Sequence, residues 1–503
     1  MNNPEKPKTM NLKRTMLAAL VAAVLIPGGL WARGKTGNAR IKVDIERQKG
    51  EIDRNIYGNF VEHLGRCIYG GLYEPGSPLS DEKGYRRDVL EATRALRTSL
   101  VRWPGGNFVS GYHWEDGIGP QAGRPTRIDL AWGFRESNAF GTDEFVEWCR
   151  RAATEPYFCV NLGTGTMDEA RRNGYEKPHK VKYWALGNEM DGQWQMGHKN
   201  AEDYGKFALE TAKLMKWIDR DIKLVVAGSS DYNGNWIDWN RTVLEYLKNH
   251  ADYIALHNYV ENRSNDYYKF MATTRFAEKA IRITEGLIAE AMTKAERKDP
   301  IYIAFDEYNV WYRAKGEEGN EEVYNLEDAL VVSTFLNIFV RNAHVVKMAN
   351  MAQLVNVIAP IFSTKEGSWY QTIFYPLQLF ATHCHGTSLD TFVDCDTYAL
   401  GGERIPYLDV SAAYDNEAGE VIVNVTNRHR EQAITTDILC QTGRFGGKAT
   451  VYEVNGPDIK AENSMTRQAV KTVTKEAQAR GDRFTYAFPA HSFTLIRIPV
   501  VTD

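Results

Sequence analysis

The chain has 503 residues, of which 43% are hydrophobic and 25% charged, the composition of an ordinary folded protein of about two or three domains. Its formal net charge of −4 gives no electrostatic reason to expect nucleic acid as a partner. The six cysteines have no metal-site spacing and leave the disulfide status open, although Cys384 and Cys395, which are close in sequence, are the pair that we would expect to oxidise.

The N-terminal segment has the pattern of a secretory signal. Lys13 and Arg14 precede an apolar run over residues 16–26, and Ala32 is a small residue suited to cleavage. The run is short for a membrane span. We therefore expect residues 1–32 to be a signal peptide and the protein to be exported, periplasmic or extracellular, without stable membrane insertion once the signal is removed. An uncleaved membrane anchor is the alternative.

Eight short apolar runs typical of β-strands follow one another along the next part of the chain. They lie at 56–61, 99–103, 157–162, 184–189, 224–227, 253–256, 304–307 and 345–351. Amphipathic stretches typical of helices separate most of them, at 88–96, 143–152, 203–218, 239–249, 274–295 and 326–341. Strands that alternate with helices favour parallel pairing, so these units predict a (β/α)8 TIM barrel over 56–385. An open doubly wound sheet is the alternative, but no Gly-x-Gly-x-x-Gly turn follows the first strand.

The pattern changes after about residue 385. Short strands with turn residues between them lie at 407–414, 420–425, 448–454, 483–488 and 492–498. This spacing predicts a C-terminal all-β sandwich over 386–503. The early run 39–45 precedes the barrel and alternates apolar and polar residues, and we expect the segment 33–55 to contribute one strand to that sandwich.

Two of the predicted barrel strands end on a glutamate, Glu189 and Glu307. An apolar run should not end on a carboxylate unless the carboxylate faces a cleft, because burying an unpaired charge is expensive. TIM barrels keep their active sites at the C-terminal ends of the strands. Two carboxylates facing each other across such a pocket are the groups that a glycosidase needs.

Six longer motifs occur in order along most of the chain. They are IYGNFVEHLGRCIYGG at 56–71, RWPGGNF at 102–108, DLAW at 129–132, GNEMDG at 187–192, DEYNVW at 306–311 and AQLVN at 352–356. These motifs resemble those of family 51 glycoside hydrolases, the α-L-arabinofuranosidases. The resemblance implies a barrel followed by a β-sandwich, a retaining mechanism and a homo-oligomer.

The resemblance also implies the roles of individual residues. It gives the general acid/base to Glu189 and the nucleophile to Glu307. The residues it implies for sugar binding are Glu62, Asn107, Asn188, His257, Tyr259, Trp311 and Gln353. No His/Cys/Asp constellation suggests a metal, and we expect no cofactor. The expected partner is an arabinose-containing oligosaccharide or polysaccharide.

These residues predict an exo-acting, retaining α-L-arabinofuranosidase that releases terminal arabinofuranose from plant polysaccharides or oligosaccharides by double displacement. A retaining endo-β-glucanase or β-xylosidase on the same scaffold is the nearest alternative. A non-catalytic carbohydrate-binding protein is an alternative of another class, and the presence of both glutamates argues against it.

Two departures from the family pattern are visible. The segment between Gly163 and Lys182 is short, so we expect a third helix of about two turns in a barrel that still closes. Tyr308 stands where a tryptophan more usually follows the nucleophile.

Overall fold

A computed structural model describes residues 38–171, 179–315 and 320–501, and the predicted signal segment 1–32 lies outside them. Its helices are α1 (Arg87–Leu96), α2 (Thr142–Ala152), α3 (Met167–Arg171), α4 (Ala201–Ile218), α5 (Trp236–Leu247), α6 (Tyr267–Met271), α7 (Arg275–Lys294), α8 (Leu326–Arg341) and α9 (Phe374–His383). Within these described residues, no helix has the length and apolar character needed to cross a bilayer.

The strands fall into two successive sets. The first is β1 (Ala39–Glu51), β2 (Gly58–Phe60), β3 (Leu100–Trp103), β4 (Arg127–Ile128), β5 (Arg135–Glu136), β6 (Glu155–Val160), β7 (Tyr183–Leu186), β8 (Lys223–Val226), β9 (Tyr253–Val260), β10 (Tyr302–Val310), β11 (Val346–Ala352), β12 (Ile361–Ser363) and β13 (Ser368–Tyr370). The second is β14 (Thr387–Asp394), β15 (Thr397–Leu400), β16 (Glu403–Pro406), β17 (Leu408–Asp415), β18 (Glu420–Asn427), β19 (Ile434–Cys440), β20 (Arg444–Phe445), β21 (Lys448–Asn455), β22 (Asn463–Ser464), β23 (Arg467–Gln468), β24 (Lys471–Gln478), β25 (Arg483–Phe488) and β26 (Ser492–Val501).

The predicted barrel is confirmed. Eight parallel strands close in the order β2-β3-β6-β7-β8-β9-β10-β11. Side chains from seven of these strands form one buried cluster inside it: Leu100, Tyr157, Ala185, Val225, Ala255, Ala304 and Met348. The interior is therefore packed, as in other barrels of this kind, and the ends of the strands are left to form a site.

The third crossover is as short as its sequence predicts. Its helix, α3, is described over Met167–Arg171, and 172–178 lie outside the described residues. The flanking strands nevertheless pair in parallel from Tyr157 with Tyr183 to Val160 with Leu186. The barrel therefore closes across this short crossover, as the sequence predicts.

The C-terminal domain consists mainly of one large sheet. Nine strands follow one hydrogen-bonded path, β24-β21-β26-β18-β17-β14-β1-β19-β25, and β20 pairs with β26 as a tenth. The sandwich prediction implied two separate sheets. Apolar residues from distant parts of the path, such as Val451 in β21 and Phe484 in β25, nevertheless belong to one buried cluster. The sheet must therefore fold over on itself to enclose its core.

The early strand β1 lies inside this sheet. It pairs antiparallel with β14 and parallel with β19. Ile41 and Val43 are fully buried in the cluster that fills the fold of the sheet. We propose the division into 33–55, 56–385 and 386–503, because α9 ends just before residue 385 and β14 begins just after it.

Shortening one buried side chain of β1 should destabilise the protein. Ile41→Ala removes apolar contacts from a packed core, and we expect it to lower the free energy of unfolding by about 2–5 kcal/mol. Thermal denaturation measures this change. Lys49→Ala is the matched control, because Lys49 is exposed on the same strand. Equal midpoints for the two variants would show that β1 contributes no core contacts.

Helix α8 lies between the barrel and the large sheet. All but its last residue are buried, so it has no solvent-facing side. On one side Phe335 and Phe339 pack against Tyr308 of the barrel strand β10. On the other side Ser333 shares a hydrogen bond of 2.7 Å with Thr426 of β18. This position explains why α8 is buried all round rather than along one stripe.

The cysteines of the described residues are all free thiols. The pair considered from sequence, Cys384 and Cys395, is therefore not a disulfide in this structure. Cys384 is buried, and its sulfur accepts a hydrogen bond of 3.2 Å from the amide of Asn424.

Candidate active site

The two strand-end glutamates lie at the same mouth of the barrel. Glu307 is in β10, and Glu189 follows β7 after the turn at Gly187. Glu189 itself has a φ of 46°, in the left-handed region that non-glycine residues seldom adopt. Such backbone conformations cluster at functional sites. One carboxylate oxygen of each glutamate lies within 4.8 Å of the other and of a ring nitrogen of His257.

His257 joins three acidic side chains. Its Nδ1 lies 3.0 Å from Oε1 of Glu189, and its Nε2 lies 3.1 Å from Oδ1 of Asp306. Burial lowers the pKa of His257, but the charge of Glu307 and the hydrogen bonds to Asp306 and Glu189 outweigh it and raise the pKa well above its usual value. This shift favours the imidazolium form of the ring, in which both nitrogens donate.

Glu307 accepts hydrogen bonds on both oxygens. The guanidinium of Arg102 donates to Oε1 at 2.5 Å, and the hydroxyl of Tyr259 donates to Oε2 at 2.8 Å. Arg102 is itself buried and also donates to Oδ1 of Asn188 at 2.6 Å. These charge-assisted and neutral hydrogen bonds fix the direction of the Glu307 carboxylate.

Asp306 completes a buried charge network below the two glutamates. The hydroxyl of Tyr157 donates to its Oδ2 at 2.8 Å, and the Arg102 guanidinium lies 3.6 Å from the same oxygen. Burial raises the pKa of Asp306, but the charge of Arg102 and the bond from His257 outweigh it, so the pKa is lowered. Asp306 therefore stays ionised and holds the imidazolium of His257.

Glu62 and Gln353 form a second polar group at the mouth. Oε1 of Glu62 accepts hydrogen bonds of 3.0 Å from the backbone N–H of Phe108 and from the indole of Trp132. Gln353 lies 3.4 Å from Oε2, and its own side-chain oxygen is buried without a partner. Burial raises the pKa of Glu62 to about 8, and the charge of Glu307 adds to this. At neutral pH Glu62 is a carboxylic acid with a proton to donate.

Asn107 and Trp311 lie at the edge of the mouth. Asn107 follows Gly106, where a Cβ atom would lie 3.3 Å from Glu62 and 3.5 Å from Glu307. A side chain at position 106 would therefore occupy the space between these two carboxyl groups. Trp311 is partly exposed, and its ring centroid lies 5.6 Å from that of Tyr259. The structure thus brings all nine sequence-predicted site residues to one end of the barrel.

Sequence reasoning assigned no role to two residues that contact the glutamates. One is Arg102, and its signal was a charged residue inside the apolar run LVRW, because a buried charge needs a partner. The other is Trp194, which donates from its indole to Oε2 of Glu189 at 2.6 Å. Trp194 lies in a loop beyond the 187–192 motif, where no periodic pattern marks it.

Replacing Glu62 by glutamine should make stability less dependent on pH. A raised pKa means that the folded protein keeps a proton that the unfolded chain releases near pH 4.5. Wild-type stability should therefore fall from pH 4.5 to about 8 because of this group. Glu62→Gln is neutral throughout, so its advantage in free energy of unfolding should grow over this range, by on the order of 1–4 kcal/mol at the upper end. Thermal denaturation at each pH measures the difference.

The comparison at pH 5 is the control for this prediction, because position 62 is then almost neutral in both folded proteins. A constant difference from pH 5 to 8 would show that Glu62 is ionised in the folded state. Sugar binding by the variant is a separate measurement, since the amide cannot donate as the acid does.

Glu189, His257 and Glu307 are also close enough to be considered as cation ligands. The charged form of His257 has no free lone pair for a metal. Both oxygens of Glu307 and both of Glu189 already face hydrogen-bond donors. This donor set suits a sugar and its hydroxyl groups better than a metal ion.

Comparisons with known proteins agree with this geometry. Two family models match, the α-L-arabinofuranosidase C-terminal domain over 306–492 and the α-L-arabinofuranosidase 1 domain over 92–172. An intracellular exo-α-(1→5)-L-arabinofuranosidase of Halalkalibacterium halodurans is 38% identical over 498 residues, 92% of this chain and 99% of the relative. A Bacillus subtilis protein named intracellular exo-α-(1→5)-L-arabinofuranosidase 1 is 39% identical, over 86% of this chain and 93% of its own.

A solved structure is equally similar. The α-L-arabinofuranosidase of Thermotoga maritima, crystallised as an arabinose complex, is 37% identical and has a TM-score of 0.83. The similarity covers 91% of this chain and 99% of the Thermotoga chain.

The prediction of a signal peptide and an exported protein is wrong. It is contradicted by the Halalkalibacterium and Bacillus relatives, both of which are named intracellular enzymes. The prediction depended on basic residues before a short apolar run, and charge and hydrophobicity over so few residues do not by themselves specify export.

The extent of these matches and the paired glutamates at the barrel mouth lead to one conclusion: the chain belongs to the α-L-arabinofuranosidases of glycoside hydrolase family 51.

Proposed function

We propose that the protein is a retaining, exo-acting α-L-arabinofuranosidase in which Glu307 is the nucleophile and Glu189 the general acid/base. The observation that carries this proposal is the close approach of their carboxylates, with one oxygen of each within 4.8 Å. Carboxyl groups about 5–5.5 Å apart are typical of retaining glycosidases, whereas inverting enzymes need about 6.5–9.5 Å to admit a water molecule.

In the first step an oxygen of Glu307 attacks the anomeric carbon of the terminal arabinofuranose. The bond from that carbon to the glycosidic oxygen breaks, and Glu189 gives its proton to the leaving oxygen. The donors Arg102 and Tyr259 keep the Glu307 carboxylate oriented for this attack. Asn188, held by Arg102, is suited to bind the 2-hydroxyl, an interaction that strengthens as positive charge develops on the sugar.

In the second step a water molecule hydrolyses the glycosyl-enzyme. Glu189 takes a proton from the water, and the oxygen of that water attacks the anomeric carbon. The bond between the anomeric carbon and Glu307 breaks at the same time. Once Glu307 is esterified its negative charge is gone, while the positive charges of Arg102 and His257 remain. In this second step Glu189 therefore acts as the general base, the reverse of its role in the first step.

The substrate proposal follows from the polar groups at the mouth and from the relatives. The protonated Glu62, with Gln353 and Asn107, offers donors and acceptors for the hydroxyl groups of one sugar ring, and Trp311 offers an apolar wall. Because two relatives are named exo-α-(1→5)-arabinofuranosidases, we include terminal α-1,5-linked arabinofuranose of plant oligosaccharides among the substrates.

A panel of nitrophenyl glycosides tests the substrate class, and the anomer released first tests the mechanism. We expect hydrolysis of the α-L-arabinofuranoside to dominate and the first product, followed by NMR, to keep the configuration of the substrate. Faster hydrolysis of a β-xyloside or β-glucoside would favour the pyranose-specific alternatives. A product of inverted configuration would rule out double displacement.

We also propose that the chain forms a homo-oligomer, as the family resemblance implies. Trp217 and Ile218 at the end of α4 are largely exposed, which is unusual for large apolar side chains next to each other. Light scattering coupled to size-exclusion chromatography measures the assembly. A monomer at micromolar concentration would contradict the proposal.

A further inference from the structure

The loop after β7 places one tryptophan against the acid/base. Trp194 donates its indole N–H to Oε2 of Glu189 at 2.6 Å, while His257 lies at 3.0 Å from the other oxygen. Of these two neighbours of Glu189, Trp194 faces solvent, since 52% of it is exposed, whereas His257 is buried. Trp194 therefore lies on the side from which a leaving group departs, and not among the buried groups that hold the sugar.

The local backbone is built for this contact. Glu189 adopts the left-handed conformation, and two successive turns follow, closed by Gly192 N–H to Glu189 C=O at 2.8 Å and by Gln195 N–H to Gly192 C=O at 3.0 Å. The indole then lies flat on Gly192, where a Cβ atom would approach its ring to 2.5 Å. The next residue, Gln195, is buried and anchored to the backbone oxygen of Asn107 at 3.4 Å.

We infer that Trp194 is a positioning residue for proton transfer to the leaving group. Its N–H fixes Oε2 of Glu189, the oxygen that is not held by His257, in the direction of the glycosidic oxygen. Since this inference rests on the proposed role of Glu189, it concerns only the steps in which Glu189 moves a proton. The nucleophile Glu307 has its own donors, Arg102 and Tyr259, and does not depend on Trp194.

The inference separates substrates by their leaving groups. A sugar alkoxide must be protonated as it leaves, so it needs a correctly aimed acid, and positioned proton transfer contributes about 10²–10⁴-fold to such reactions. A dinitrophenolate leaves without a proton. Loss of the indole N–H should therefore slow the hydrolysis of substrates with a sugar leaving group and leave that of dinitrophenyl substrates nearly unchanged.

The test compares kcat/KM of the wild type and Trp194→Phe on arabino-oligosaccharide and on a series of aryl arabinofuranosides. The phenylalanine keeps an aromatic ring and removes the N–H donor. We expect about a tenfold loss on the oligosaccharide, less than about twofold on the dinitrophenyl substrate, and a steeper dependence of log kcat/KM on the basicity of the leaving group. Gly192→Ala, which displaces the indole without changing it, should give the same pattern.

Trp311→Phe is the matched control, because Trp311 is a partly exposed tryptophan at the same mouth that packs on Tyr259. It should change kcat/KM for both substrates by the same factor. An equal loss on both substrates in Trp194→Phe would overturn the inference, as would no loss on either. Glu189→Ala distinguishes failure of this inference from failure of the proposed role of Glu189. If Glu189→Ala also showed no leaving-group dependence, the proposed role of Glu189 would be wrong.

Discussion

Replacing Glu307 by glutamine should reduce turnover of every arabinofuranoside by on the order of 10⁵-fold. The amide keeps the shape of the side chain and its place beside Arg102 and Tyr259, but it cannot attack the anomeric carbon. Leaving-group quality should not matter, because no glycosyl-enzyme forms even when the bond breaks easily. Initial rates on dinitrophenyl arabinofuranoside and on arabino-oligosaccharide measure the effect.

Azide supplies the control for this variant. In Glu307→Ala the small anion has room to attack the sugar directly, so any product that forms should have inverted configuration, and hydrolysis with retention should not return. A retained azide product from Glu307→Ala would place the nucleophile elsewhere.

Replacing Glu189 by alanine should slow hydrolysis by a factor that depends on the leaving group, unlike the change at Glu307. We expect a loss of about 10²–10⁴-fold on oligosaccharides, whose leaving oxygen needs a proton, and a much smaller loss in kcat/KM on dinitrophenyl arabinofuranoside. With the activated substrate the glycosyl-enzyme should accumulate, because no base activates water for the second step. Azide should then raise the rate and give a product of retained configuration.

Asp191→Asn is the matched control for Glu189→Ala. Asp191 lies two residues further along the same loop, but its carboxylate accepts bonds from the backbone and hydroxyl of Ser230 and from the backbone of Asp231. Any decrease in kcat/KM caused by Asp191→Asn should be the same for both kinds of leaving group. An inverted azide product from Glu189→Ala would show that the roles of the two glutamates are exchanged.

The sequence predicted the barrel because its signals are local. Each strand is a short apolar run, each helix is amphipathic, and the alternation of the two is visible without any long-range information. The site residues were predictable for a related reason. Strand ends bring polar groups such as Glu62, Glu189 and Glu307 to one face of the barrel, and the longer motifs gave them roles.

The features that the sequence did not predict depend on distant contacts. The sequence predicted a strand of β1 in the C-terminal domain but not its neighbours there, β14 and β19, because these pairings join residues more than 300 positions apart. The bond from Trp194 to Glu189 depends on the left-handed conformation of Glu189 and on the absence of a side chain at Gly192, and neither leaves a periodic pattern in the sequence. The pairing of Arg102 with Glu307 was indicated only by a charge in an apolar strand.

Helix α8 has a consequence for how the protein can be divided. Because barrel side chains cover one side of it and the large sheet covers the other, cutting the chain before β14 would expose a row of apolar groups to water. A shortened enzyme of this kind should aggregate instead of folding as an independent barrel. In the intact protein we therefore expect the barrel and the large sheet to unfold in one cooperative transition, and we expect neither part to be exchangeable on its own.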